Sequence, residues 1–276
     1  MTTAEPPRIL IRECRGFEEF DACVRLQLEV WGYDASDAIP QREFVVIDRI
    51  GGHILGAFDL ARSGSSDGDG SSMIGFAMAM PGFLDGRAFL HSHMLAVLPE
   101  YRNAGIGRRL KLAQRDAALV RGIKMMEWTF DPLEIKNAYL NIARLGVVVH
   151  RYTSNLYGVF SSRLQAGLPT DRLHAEWWMD SPRVLATLNG GPVLLPEIQE
   201  TIIVPGAIRE WRQSASGFAQ AVTAQNEIRA RFLDAFARGL TVVGFSRQSN
   251  RDKMKEPGNS GDQSDGVYQL ADWREP

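Results

Sequence analysis

Two glycines, Gly105 and Gly107, stand between Arg102 on one side and Arg108-Arg109 on the other, directly after the apolar run Met94-Leu95-Ala96-Val97-Leu98 and the turn-forming Pro99. This order suits the grip of a phosphate or diphosphate. A loop that opens a helix leaves its first N–H groups without partners, and the helix dipole adds positive potential at the same spot. Glycines there let anion oxygens reach the main chain, and arginines add mobile positive charge. Two other phosphate-binding patterns do not fit. No third glycine follows Gly107 at dinucleotide-fold spacing, and the loop has no Gly-Lys-Ser or Gly-Lys-Thr.

The elements that must hold this loop follow from periodicity. Ile9 to Arg12 alternates as a strand, and Phe20, Val24, Leu28 and Trp31 recur at helical spacing. A second helix is predicted around Pro40 to Ile50, with proline in its first turn. Strands are predicted at His53–Leu60, Met73–Met80 and Ala88–Leu98. Polar residues Arg62–Ser72 should form one hairpin loop, and Gly82 with Asp85-Gly86 the next turn. The helix opened by Gly105 is expected to run to Val120, with Leu110, Ala113, Ala117 and Val120 facing the core.

Lys124–Phe130 follows as a strand, and Asp131-Pro132-Leu133-Glu134 carries the residue types of a helix start. That helix would turn Ile135, Ala138, Ile142 and Leu145 inward and stop at Gly146, before a strand over Val147–Tyr152. From Pro169 the pattern restarts, with strands at Leu173–Met179, Thr201–Val204 and Thr241–Phe245. A helix over Val222–Ala237 would bury Ile228, Phe232 and Ala235, and Gln248–Gly266 reads as a polar loop. The fold class is therefore α/β with a mixed sheet.

At Arg102, Gly105 and Gly107, in this strand–loop–helix setting, the chain resembles the GNAT (general-control-related N-acetyltransferase) superfamily, whose signature is Arg or Gln, two residues, Gly, one residue, then Gly or Ala. The resemblance covers roughly residues 9 to 158. It implies a GNAT-like mixed, mostly antiparallel sheet flanked by helices over residues 1–160, and a smaller α/β C-terminal extension over 161–276 with strands and one long helix. It also implies an acyltransferase that moves an acetyl or other short acyl group from CoA to an amine of a small-molecule or peptide acceptor. Acetyl-CoA would be the co-substrate, without a metal. In that reading Leu95, Ala96 and Val97 line the pantetheine arm, while Arg102, Asn103, Ala104, Gly105, Ile106, Gly107 and Arg108 hold the pyrophosphate. Asn137 is the candidate for a further cofactor contact, two positions from where the family often has asparagine, here Ile135. The tyrosine that many members use to protonate the thiolate is replaced by Ile142. That replacement motivates the alternative, a protein of the same fold that binds acyl-CoA and transfers nothing.

Acyl transfer to an amine needs a base, an oxyanion donor and a proton for the leaving thiolate. His91 and His93 alternate on one strand and are expected on the face shared with Leu95 and Val97, so His93 is the candidate base. The competing reading is a pair of hydrogen-bonded structural histidines. Glu127 is a second candidate base, expected to face solvent. Tyr139 is the candidate acid, ahead of Tyr152 and Tyr157. Of Trp177 and Trp178, one should fill the core and the other border a pocket.

Charge is nearly balanced, with 31 Lys and Arg against 33 Asp and Glu, so nothing favours nucleic acid or a membrane surface as partner. Two cysteines are too few for a disulfide scaffold and suit a reducing compartment. The N-terminal residues Met1–Pro7 lack a basic-then-apolar pattern, so the expected location is the cytoplasm. A homodimer is compatible with all of this.

Overall fold

The computed structural model describes residues 8–61, 72–84, 86–158, 167–248 and 264–273. The loop expected over Arg62–Ser72 and that over Gln248–Gly266 lie almost wholly outside them. The described residues fall into two compact units, one ending at Glu127 and the other beginning at Trp128.

In the first unit the order is β1 (Ile9–Glu13), α1 (Gly16–Trp31), α2 (Gln41–Arg49), β2 (His53–Asp59), β3 (Met73–Leu84), β4 (Arg87–Val97), α3 (Ile106–Val120) and the start of β5 (Met125–Phe130). Strands β1 to β4 pair antiparallel in sequence order, and β5 joins β4 in parallel. This is the mixed, mostly antiparallel, helix-flanked sheet of the GNAT-like expectation. Every residue of β2 and the first seven of β3 are buried, which requires cover on both faces. One face is closed by α1 and α2: Phe20 stacks on Phe44 at 6.0 Å, and Phe44 and Trp31 meet Phe76 edge-on at 6.0 and 6.3 Å. Helix α3 closes the other.

The helix faces differ from the predicted stripes. In α1 the buried residues are Glu19, Phe20, Ala22, Cys23, Leu26 and Gln27, whereas Leu28 is exposed. In α3 they are Ile106, Leu110, Lys111, Gln114 and Ala118, and Val120 is 89% exposed. Phe20 and Leu110 of the predicted stripes are buried and Val24, Trp31 and Ala113 pack against the core, while Leu28 and Val120 fall outside it because the core also accepts polar side chains that find partners there. Glu19, for example, binds Arg12 in bidentate fashion (2.7 and 2.9 Å) and receives the Arg15 N–H at 2.6 Å. Gly82, expected in a turn, continues the β3–β4 ladder opposite Phe89. Cys14 and Cys23 are both free and buried.

His53, at the start of β2, is 1% exposed, and neither ring nitrogen has a hydrogen-bond partner among the described residues. Burial foremost, then the charges of Arg121 and Lys111, push its pKa down to about 4. The folded state thus holds this ring neutral while the unfolded chain protonates it near 6.5. The associated stability is complete above that value and is lost as pH falls toward 4, amounting to about 3 kcal/mol by linkage. Thermal melts between pH 7 and 4 should therefore be steeper for the native chain than for His53→Leu. Parallel profiles would remove His53 as the cause.

In the second unit β5 ends and α4 (Ile135–Ala138) follows, running into a π-helical segment at Tyr139–Arg144. Asp131 and Glu134 do not open a helix at Pro132 as expected: the helix starts three residues later, and Glu134 caps nothing with its side chain. Both carboxylates bind Arg212 instead, at 2.8 and 3.3 Å. The predicted strand Val147–Tyr152 is reduced to isolated bridges at Val148 and Val149 and a two-residue β6 (Tyr152–Thr153) beside β7 (Arg172–Trp178). After α5 (Pro182–Leu188) come β8 (Glu200–Val204), α6 (Ile208–Gln213), α7 (Phe218–Ala237), β9 (Leu240–Gln248) and β10 (Asp265–Asp272). The last three strands form an antiparallel sheet in the order β8-β10-β9, with Phe232 of α7 edge-on to Tyr268 at 5.1 Å. Trp177 is fully buried and donates to the Leu145 carbonyl at 2.8 Å, while Trp178 is half-buried.

Candidate functional site

Strand β4 is unlike its neighbours in two ways. Its parallel pairing with β5 covers only Leu90↔Met126 and His91↔Glu127, so from Ser92 to Val97 the edge turned from β3 has no ladder partner among the described residues. Its antiparallel pairing with β3 jumps from Met94↔Met78 to Ser92↔Ala79, which makes His93 the extra residue of a β-bulge. Backbone groups on an open edge beside a bulge can bind a ligand instead of a strand.

Past Val97 the chain makes a single 3-10 turn at Pro99–Tyr101 and then the glycine loop. Asn103 and Gly105 take left-handed conformations, φ +64° and +75°. Asparagine tolerates that region and glycine is at home in it. No Cβ contact lies within 4 Å of Gly105, so φ, and not crowding, selects glycine there. Among the described residues the N–H groups of Asn103, Ala104, Gly105, Ile106, Gly107 and Arg108 donate to no backbone acceptor, and the first intrahelical bond runs from Arg109 to Gly105 at 3.0 Å. Ile106, 3% exposed, anchors this tip, while residues 102–105 are exposed. Below it, Tyr101 donates to buried Asp59 at 2.7 Å. Arg102 Nε donates to the Val97 carbonyl at 3.2 Å, tying the loop to the end of β4. Arg108 Nε is buried with no partner among the described residues, whereas Arg109 is engaged by the Ile9 carbonyl at 2.8 Å. A cluster of unpaired N–H groups with one orphaned guanidinium donor fits a diphosphate.

The bulge corrects one expectation. Ser92 accepts from Lys111 of α3, and a Cβ on Gly107 of α3 would meet Leu95 Cδ2 at 3.5 Å. Ser92 and Leu95 therefore face the same helix three positions apart, which strict alternation forbids and one inserted residue permits. His91 and His93, with rings 5.8 Å apart, lie on the face opposite Leu95 and not beside it. His93 is exposed, yet protein atoms crowd the ring enough to push its pKa below the ordinary histidine value. Glu127, expected to face solvent, is 8% exposed, with its carboxylate 3.9 Å from His91 Nδ1.

Asn137 and Tyr139 belong to the second unit, and both are exposed. The Arg247 guanidinium lies 5.9 Å over the Tyr139 ring. Ile142 is 2% exposed and lines a pocket of about 150 Å³ with Arg183, Thr187, Phe245 and Gln269. Tyr152 is unsuited to give up a proton: burial and its 2.5 Å bond to Asp171 push its pKa well up. Tyr157 shares a hydrogen bond with Thr129 at 2.8 Å. Among the described residues no group of three His, Cys, Asp or Glu side chains is placed to hold a metal, and no helix is long and apolar enough to cross a membrane.

Neither a family model nor a curated relative matches this chain. Solved structures similar to it include the NatC complex bound to Gag peptide and CoA, at 16% identity and TM-score 0.48 over 62% of this chain and 98% of that one. Another is the ribosomal-protein-S18-alanine N-acetyltransferase from Escherichia coli, at 15% identity and TM-score 0.46 over 63% and 96%. A third is Arabidopsis thaliana NAA60 with a bisubstrate analogue, at 15% identity and TM-score 0.46 over 62% and 98%. Likenesses this distant decide nothing about activity, which has to follow from this chain's own residues.

Proposed function

We propose that the protein is an acyl-CoA-dependent N-acyltransferase, with acetyl-CoA as donor and an amine of a small molecule or peptide as acceptor. One observation carries this reading: the unpaired N–H groups of Asn103 to Arg108 stand at the end of a strand whose outer edge is open from Ser92 to Val97. The loop, with Arg102 and Arg108, would hold the diphosphate. The Leu95-Ala96-Val97 edge would pair with the amide-bearing arm, as an added strand would. Main-chain donors of that edge would stabilise the oxyanion that forms when the amine attacks the thioester carbonyl.

His93 is the proposed base. The crowding that lowers its pKa keeps the imidazole neutral at pH 7 and able to take the proton of the attacking amine. Since the base must be unprotonated, kcat/KM should rise with pH through an apparent pKa below the ordinary histidine value, and His93→Ala should abolish that limb while lowering kcat about 100-fold. An unchanged limb in His93→Ala assigns it elsewhere. Tyr139 is the proposed donor to the departing thiolate; thiol release unaltered in Tyr139→Phe would exclude it. Asn137 is proposed as a further cofactor contact.

Acetyl-CoA titration by calorimetry, with CoA thiol release measured across an amine panel, tests the whole. Saturable binding with release supports transfer. Saturable binding without release from any amine supports the acyl-CoA-binding alternative, which buried Ile142 favours by leaving no phenol at its position. No binding ends both.

A further inference from the structure

The side of β4 turned to α3 carries a polar cluster that the acyl-transfer reading does not use. Lys111, 4% exposed, donates from Nζ to Ser92 Oγ at 2.6 Å, and the Ser92 hydroxyl donates to Gln114 Oε1 at 2.9 Å. Gln114 is fully buried, and its Nε2 has no partner among the described residues. His53, Ala79 and Ser92 stand in register across β2, β3 and β4, so the unpartnered His53 ring shares the face of this cluster, with small Ala79 between them. Burial pulls the Lys111 pKa well below the usual lysine value.

An amine, an amide and an imidazole under a sheet are a poor choice for stability alone, since apolar residues of similar volume commonly do as well or better. Their position points to register. Ser92 is the last residue paired with β3 before the bulge, and His93 is the residue inserted there. If the first part of β4 slid by one residue to erase the bulge, Ser92 would turn away from α3, and Lys111 and Gln114 would lose the hydroxyl they share. The hydrogen-bond chain therefore penalises the unbulged register specifically.

We propose that Lys111, acting through Ser92 with Gln114, is a positioning residue that pins the β4 bulge and thereby sets the orientation of His93 and of the main-chain donors on the open edge. The consequence for turnover rests on the acyl-transfer reading; the consequence for the bulge does not.

The test compares native chain, Ser92→Ala, Lys111→Met and the Ser92→Ala/Lys111→Met double variant. Melting temperature, His93 ring titration by NMR and CoA thiol release are the readouts. Ser92→Ala takes a hydroxyl from the buried Lys111 amine and from Gln114 and should melt lower; the double variant removes the amine that lost it and should regain part of that loss. A purely structural role predicts that His93 titration and thiol release recover along with stability. Positioning predicts that they do not: in the refolded double variant the His93 pKa stays shifted toward the ordinary value and thiol release stays about 10-fold down. A double variant with native titration overturns the proposal, as does a shifted titration with native thiol release. If no amine supports release, the titration decides alone. If the native chain fails to bind acetyl-CoA, the acyl-transfer reading falls while the titration still judges the bulge.

Discussion

Gly107→Trp should lower acetyl-CoA affinity by about 100-fold or more while the protein remains folded. At φ +75° Gly105 supplies a backbone shape, whereas Gly107 supplies space: its Cβ position has only Leu95 Cδ2 nearby, at 3.5 Å, and the residue is half-buried in the first turn of α3. An indole there covers the N–H cluster without entering the core. Losing two charge-assisted bonds at about 1.5 kcal/mol or more apiece accounts for the expected factor. Gly105→Val acts differently, because a β-branched residue at positive φ costs about 1–3 kcal/mol and the loop must distort or the fold must weaken. Gly86→Ala is a useful control: φ is +77° and the surroundings are equally open, but the site lies in the β3–β4 turn. It should cost stability and leave acetyl-CoA affinity alone. Calorimetric titration of the three variants decides the matter, and a Gly107→Trp protein that binds acetyl-CoA like the native chain would remove the loop as the phosphate site.

The largest stability effect is expected from Arg212→Met in the second unit. Arg212 is 6% exposed and joins Asp131 at 2.8 Å and Glu134 at 3.3 Å, two carboxylates four positions behind the end of β5 or closer. Asp131 also receives the Leu133 N–H at 2.8 Å, so the guanidinium fixes the corner that leads into α4. The Glu134 pKa is raised, first by burial and then by Asp131, while Arg212 works in the opposite direction. Removing one member of a buried ionic group typically costs about 3–5 kcal/mol. The lower end is expected here, since the Glu134 side chain is 41% exposed and can turn to water. For a unit of this size about 3 kcal/mol lowers the melting temperature by on the order of 10 °C. The Arg212→Met/Asp131→Asn pair should recover part of it, because the stranded charge is gone. A single variant melting within about 2 °C of the native chain would show that solvent already compensates these charges.

The glycine loop was the most legible part of the sequence. A glycine loop between an apolar strand and an amphipathic helix is a local feature, and its conformation depends on residues within a few positions of one another: Asn103 and Gly105 for the left-handed turns, Pro99 for the break before them. The order of strands and helices over the first unit was legible for the same reason, as hydrophobic period is a property of short windows. Elements placed by tertiary pairing were not. The segment before Tyr152 reads as a strand yet makes only single bridges at Val148 and Val149, and β10 begins where the composition is that of a polar loop.

By itself the sequence determined that a glycine loop opens a helix after an apolar strand and that a mixed, helix-flanked sheet stands behind it. Only the tertiary structure decided which faces meet. It turned the polar Lys111 and Gln114 of α3 onto the sheet and left Val120 in water, and it put one additional residue into β4 at His93. The physical reason is that a bulge is a relation between two strands and a buried lysine is a relation between a helix and a serine. Neither has a signature in the spacing of one segment, and together they set the face on which His91 and His93 stand.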